Sequence, residues 1–141
     1  MNAIDYLIPA GRVLVLRTCL ADMRSPAREA QGFVWPVSGP VEAPDWSPTP
    51  ECGHGLHGLL WGEGDGSVLC WDADARWMIV EVAAEDIVDL GRKVKFPRGS
   101  VVFCGERTGA TDFLSALAPG RVIVGGTATS TPAGTPAGVA P

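Results

Sequence analysis

Between Pro36 and Gly66 the chain carries five prolines (Pro36, Pro40, Pro44, Pro48, Pro50) and then six glycines (Gly53, Gly55, Gly58, Gly62, Gly64, Gly66). No other feature limits the fold so strongly. Proline fixes φ and removes a backbone donor, so the first half of this stretch is expected to stay out of helix and sheet interior and to wrap the surface, pinned by Trp46. Glycine at such density is expected to serve tight turns at positive φ. A long helical bundle is excluded, and what remains is short elements joined by long loops. With 18 Gly and 12 Pro in 141 residues the chain is turn-rich, yet 46% of it is hydrophobic and only 19% charged. That balance is wrong for a disordered chain. A domain of this size buries about two thirds of its unfolded surface, so it needs no metal or disulfide to fold.

Around the loops, local patterning predicts the elements. Val13–Arg17 reads as a central strand, Phe33–Trp35 as a brief one, and Val68–Trp71 with Trp77–Val82 as a hairpin closed by 72–76. Ala84–Leu90 is expected to be a short helix ended by Gly91. Val94–Phe96 and Val101–Cys104 should flank a turn at Pro97–Gly99. Ala110, Phe113, Leu114 and Leu117 fall on one face of a 3.6-residue period, which predicts an amphipathic helix over 108–117. The expected architecture is α+β: a small, mainly antiparallel sheet of short strands, one C-terminal helix and long Pro/Gly-rich loops. Residues 1–120 form the domain, and 121–141, rich in Thr, Pro, Ala and Gly, read as an arm or tail. Such an arm would order only against another chain, so Thr127, Thr129, Thr131, Pro132, Thr135 and Pro136 are its expected assembly contacts.

Charge narrows the partners. Eleven acids and one base (Arg76) lie between Glu42 and Leu90, and the compensating Arg92, Lys93, Lys95 and Arg98 form only a small group, read as a solvated face. A phosphate backbone would be repelled, so nucleic acid is not an expected partner. No apolar run reaches the ~20 residues of a membrane span. The first ten residues carry Asp5 and no base, unlike a secretory leader, so neither membrane nor export is expected. The four cysteines, with no CxxC spacing, read as buried small hydrophobes.

The segment Glu51-Cys52-Gly53-His54-Gly55-Leu56-His57-Gly58 holds both histidines. Three readings of it stay open. His57 is a buried, hydrogen-bonded side chain in a glycine-rich turn. Alternatively Cys52, His54, His57 and Cys70 ligate zinc, although Cys-x-His-x-x-His is not a finger spacing. Or His57, with Arg17 at the end of the first strand and Glu106 after a late one, lines a nucleotide pocket of ADP-ribosyl-transfer type. There is no nucleophile elbow, P-loop or HExxH. Of the five tryptophans, Trp71 and Trp77 are core candidates, and Trp46 and Trp61 lid or contact residues.

Gly32-Phe33-Val34-Trp35-Pro36, Glu42-Ala43-Pro44-Asp45-Trp46, the Cys-Gly-x-Gly-Leu-His element, Trp77–Val82, Asp86–Leu90 and Lys93–Gly99 together resemble a small uncharacterised domain of bacteriophages and prophages, over about Val13 to Leu117. That resemblance implies a phage setting and little chemistry. With the arm-like tail and the missing catalytic motifs, it leads to an expected non-enzymatic, phage-associated structural or interaction protein, such as a virion head accessory or decoration protein. Its partners would be protein, either copies of itself or capsid proteins, in the virion or the host cytoplasm, with no cofactor. The alternatives are the His57-centred nucleotide-binding enzyme and the zinc-stabilised module.

Overall fold

A computed structural model of the chain describes residues 6–25 and 33–126. Seven strands, β1 (Arg12–Cys19), β2 (Gly39–Glu42), β3 (Leu56–Leu60), β4 (Arg76–Ala83), β5 (Val88–Asp89), β6 (Val94–Phe96) and β7 (Arg98–Gly105), precede one helix, α1 (Arg107–Leu117). The strands make one antiparallel sheet in the order β2-β7-β4-β1-β3-β6-β5. The expected α+β architecture of short antiparallel strands with a single helix holds for the described residues.

The sheet is apolar on both faces because its central strands alternate two hydrophobic sets. Leu14 and Leu16 of β1, with Trp77 and Ile79 of β4, face α1 and its Ala110, Phe113 and Leu114. Val15 and Cys19, with Met78, Val80 and Val82, face the opposite way. There they meet Met23, Trp35, Val41 and Ala43, from segments that are mostly irregular. A near-continuous hydrophobic run such as Val13–Leu16 is what a strand covered on both sides requires. Opposite Ile79 and Val80, β7 bulges at Val102: Ile79 pairs with Phe103 and Val80 with Val101.

Several local expectations change. Val68–Trp71 is no strand: a 3-10 turn covers Gly66–Val68, capped by the Asp65 carboxylate, and the Cys70 N–H donates to Thr18 Oγ1 at 2.7 Å. β4 already has β1 and β7 on its two edges, so no place remains beside it for a hairpin partner. Phe33–Trp35 contributes only a single bridge, Val34 to Arg24. The proline-rich stretch does enter the sheet, through β2, which pairs with β7 alone. Pro40 is tolerated there because an edge strand has one side free of ladder bonds. The glycine-rich stretch likewise contains β3, whose Gly58 lets β1 approach: a Cβ at that position would lie 2.4 Å from Val15 Cγ1 and 2.6 Å from Leu16 O. The expected helix over Ala84–Leu90 is a 3-10 turn (Ala84–Asp86) followed by β5. β6 and β7, although separated only by Pro97, do not pair with each other and run to opposite halves of the sheet.

Residues 121–126, read from sequence as the start of the tail, pack onto the body. The Val124 N–H donates to Gly62 O, Arg121 pairs with Glu63 at 3.0 Å and stacks over Trp61, and Ile123 and Val124 join the α1-side core. The six expected assembly contacts from Thr127 to Pro136 lie outside the described residues. No described helix is long and apolar enough to cross a membrane.

Candidate functional site

The Cys-Gly-x-Gly-Leu-His element is a loop clasp. Gly53 and His54 take positive φ (86° and 56°), turning the chain into β3, where His57 is buried. The His57 Nε2 accepts the Gly53 N–H at 3.1 Å, which requires a neutral ring carrying its proton on Nδ1. Directly opposite His57 in the β3–β6 register stands Lys95, completely buried, whose Nζ donates to the Gly53 carbonyl at 3.4 Å. Both polar groups of one peptide residue are thus held by neighbouring side chains. Above them the Trp46 ring lies 5.4 Å from Lys95 Nζ and so close to Gly55 that a Cβ there would meet the ring at 3.0 Å. The Ser47 N–H donates to His54 O and completes the fold of the loop onto the ladder.

Arg17 meets His57 through the backbone: its Nη1 donates to His57 O at 3.1 Å, and its guanidinium stacks 4.8 Å above Trp35. The side chain is buried, yet Nε and Nη2 find no acceptor. Cys19, two residues along the same strand face, has its thiol pKa raised by burial against the pull of this cation. Among the described residues no carboxylate lies within ion-pair distance of either Arg17 or Lys95. Burying an unpaired charge is costly, so a positively charged interior of this kind favours an anionic group beside it.

Glu106 is elsewhere. It is the residue before α1, at the end of β7, and in the sheet order β7 is separated from β3 by β4 and β1. It lines a half-open cavity of about 360 Å³ with Trp71, Asp72, Trp77, Arg107 and Thr108. Of the three residues of the enzyme reading, two therefore meet and one does not. The two that meet form no nucleophile–base pair, since the imidazole acceptor is taken by Gly53. The zinc set is not assembled either. Cys52 is exposed, His54 points outward with Nδ1 3.7 Å from Asp45, and Cys70 belongs to the core on the α1 side. Among the described residues no three His, Cys, Asp or Glu side chains converge as metal ligands. All four cysteines are free thiols.

Sequence reasoning missed Lys95 by placing it with a solvated basic group. Arg92 and Arg98 do pair on the surface, with Asp65 and with Glu42 and Asp86. The signal for Lys95 was its position between Val94 and Phe96 in a strand buried along its whole length. Trp71, expected in the core, is instead 45% exposed, while Trp35 is buried to 2%.

Residues 13–116 match the family described as domain of unknown function DUF7666, almost the same span as β1 through α1. The chain belongs to that family. Its curated relatives include an ice nucleation protein of Xanthomonas campestris pv. translucens, 42% identical over 110 residues, which are 77% of this chain and 7% of the relative. An ice nucleation protein of Pseudomonas syringae is 46% identical over 107 residues, 74% of this chain and 9% of its own length. Ice nucleation protein InaU of Pantoea ananas is 40% identical over 105 residues, 73% and 10% respectively. The chain thus spans about a tenth or less of the length of these curated relatives. No solved structure matches the chain significantly. These relatives overturn the expected phage setting, and with it the virion head accessory role: proteins named for ice nucleation are not virion proteins.

Proposed function

We propose that this DUF7666 chain is a folded accessory module of the ice-nucleation type, serving a larger protein by binding rather than by presenting an ice-ordering surface itself. One observation carries the reading: the family match spans β1 through α1, and the chain aligns with about a tenth or less of each ice nucleation protein. A second supports the division of labour. A foreign surface lowers the barrier to freezing by ordering water over a broad, regular area. Here the seven-stranded sheet is covered on one face by α1 and on the other by mostly irregular segments.

The test exchanges this chain for the matching region of the Pseudomonas syringae ice nucleation protein and compares droplet-freezing temperatures. The chimera should freeze droplets like the parent, and a variant lacking the region should freeze them at a lower temperature. The isolated chain should freeze them no warmer than buffer. A chimera no better than the deletion would sink the module reading. An isolated chain that raises the freezing temperature would sink the claim that it orders no ice.

A further inference from the structure

The cavity beside α1 is independent of the clasp and of the proposed module role. It is lined by an exposed tryptophan together with residues of both charge signs. Trp71 is 45% exposed, and its indole N–H is already bonded to Gly66 O at 2.8 Å, so the ring is held in place with its polar edge satisfied. Trp77 meets it edge to face at 5.3 Å and 72°. Trp77 is fixed in turn by the returning chain, since a Cβ on Gly125 would lie 2.9 Å from the ring. Beside these two rings the same cavity is lined by Asp72, Glu106, Arg107 and Thr108. Although opposite charges line one space of about 360 Å³, none of Asp72, Glu106 or Arg107 is engaged in an ion pair among the described residues.

Charge selects the ligand class. A small anion would face Asp72 and Glu106, and an organic cation stacked on Trp71 would face Arg107. A neutral ligand with one apolar face and hydroxyls around its rim uses every group. Its hydroxyls donate to the two carboxylates and accept from Arg107 and Thr108, while its ring covers the indole. We propose that this cavity is a binding site for a neutral pyranose, with Trp71 as its platform and Asp72, Glu106 and Arg107 as its hydroxyl partners.

The full chain, labelled with ¹⁵N, is titrated with methyl α-D-glucopyranoside and methyl β-D-galactopyranoside, and separately with choline chloride and sodium phosphate. At least one pyranoside should shift the Trp71 indole N–H and the Thr108 amide saturably, with a Kd of about 1–10 mM. Trp71→Ala and the isosteric Asp72→Asn should each weaken that binding about tenfold or more, and Asp89→Asn, on β5, should leave it unchanged. Saturation of the same resonances by choline or phosphate but by neither sugar overturns the assignment. So does the absence of any shift from the sugars up to about 100 mM, or unaltered sugar binding in both site variants.

Discussion

Lys95 is the residue whose environment is hardest to reconcile with its type. Its ammonium has one long hydrogen bond and an aromatic face for company, and among the described residues no carboxylate within ion-pair distance. Desolvating a charge can cost more than such contacts return, and replacing buried ions by apolar side chains of similar volume is often neutral or stabilising. Lys95→Met should therefore leave the unfolding free energy from urea denaturation within about 1 kcal/mol of wild type, or raise it, whereas Lys95→Ala, which opens a cavity, should cost about 2–4 kcal/mol. Equal losses for both would show that the charge itself holds the clasp. Gly58 gives the opposite case, a position where size alone decides. Its missing Cβ is filled by Val15 and the Leu16 carbonyl, and backbone cannot yield as a flexible side chain can. Gly58→Ala should cost about 2–3 kcal/mol in the same denaturation measurement. Neither effect is visible in the local sequence, because each depends on what a distant strand brings to the position.

Among the elements, the loop from Trp46 to Gly55 is distinctive because side chains rather than ladder bonds hold it to the sheet. Removing the Trp46 ring uncovers Lys95 and Gly55 together. Trp46→Ala is expected to open this loop as a local unit: amide exchange at Gly53 and Ser47 should quicken at least about tenfold, while Val80 in the central β4 stays protected. A uniform loss of protection across β4 would mean that the loop is part of the global unit. The elements also show what was legible beforehand. Val13–Arg17 was readable as a short apolar run, and the helix over 108–117 by its 3.6-residue period. The strands β2 and β3 were not, since proline and glycine argue against them locally. They form because an edge position excuses Pro40 and because β1 needs the space at Gly58.

For the molecule as a whole, two acidic groups make stability depend on alkaline pH in the same direction. Burial raises the Cys19 thiol pKa, and burial together with the hydrogen bond to Glu81 raises that of Tyr6. An acid whose pKa is higher in the folded state keeps its proton there more tightly than in the unfolded chain. Its contribution is complete below the unfolded pKa, near about 8.5 for a thiol and about 10 for a phenol, and is lost as pH rises toward the folded value. The urea midpoint should fall progressively above about pH 8.5. Cys19→Ala should remove the earlier part of that decline, and an unchanged profile in that variant would rule out the thiol as its source.

A second expectation at this scale concerns the boundary of the body. Compared with a chain ending after Gly126, one ending after Gly120 loses Ile123 and Val124 from the core and should be less stable by about 1–3 kcal/mol in the same denaturation. The sequence by itself determined a turn-rich α+β chain with a central apolar strand, one amphipathic helix and a chemically suggestive Cys-Gly-His segment, because periodicity and backbone restriction act over a few residues. Only the tertiary structure decided that His57 and Lys95 converge on Gly53, with Trp46 over Lys95 and Gly55, while Glu106 joins Trp71 and Trp77 at another place. Strand order and register bring together residues tens of positions apart, and no local pattern encodes which strand lies beside which.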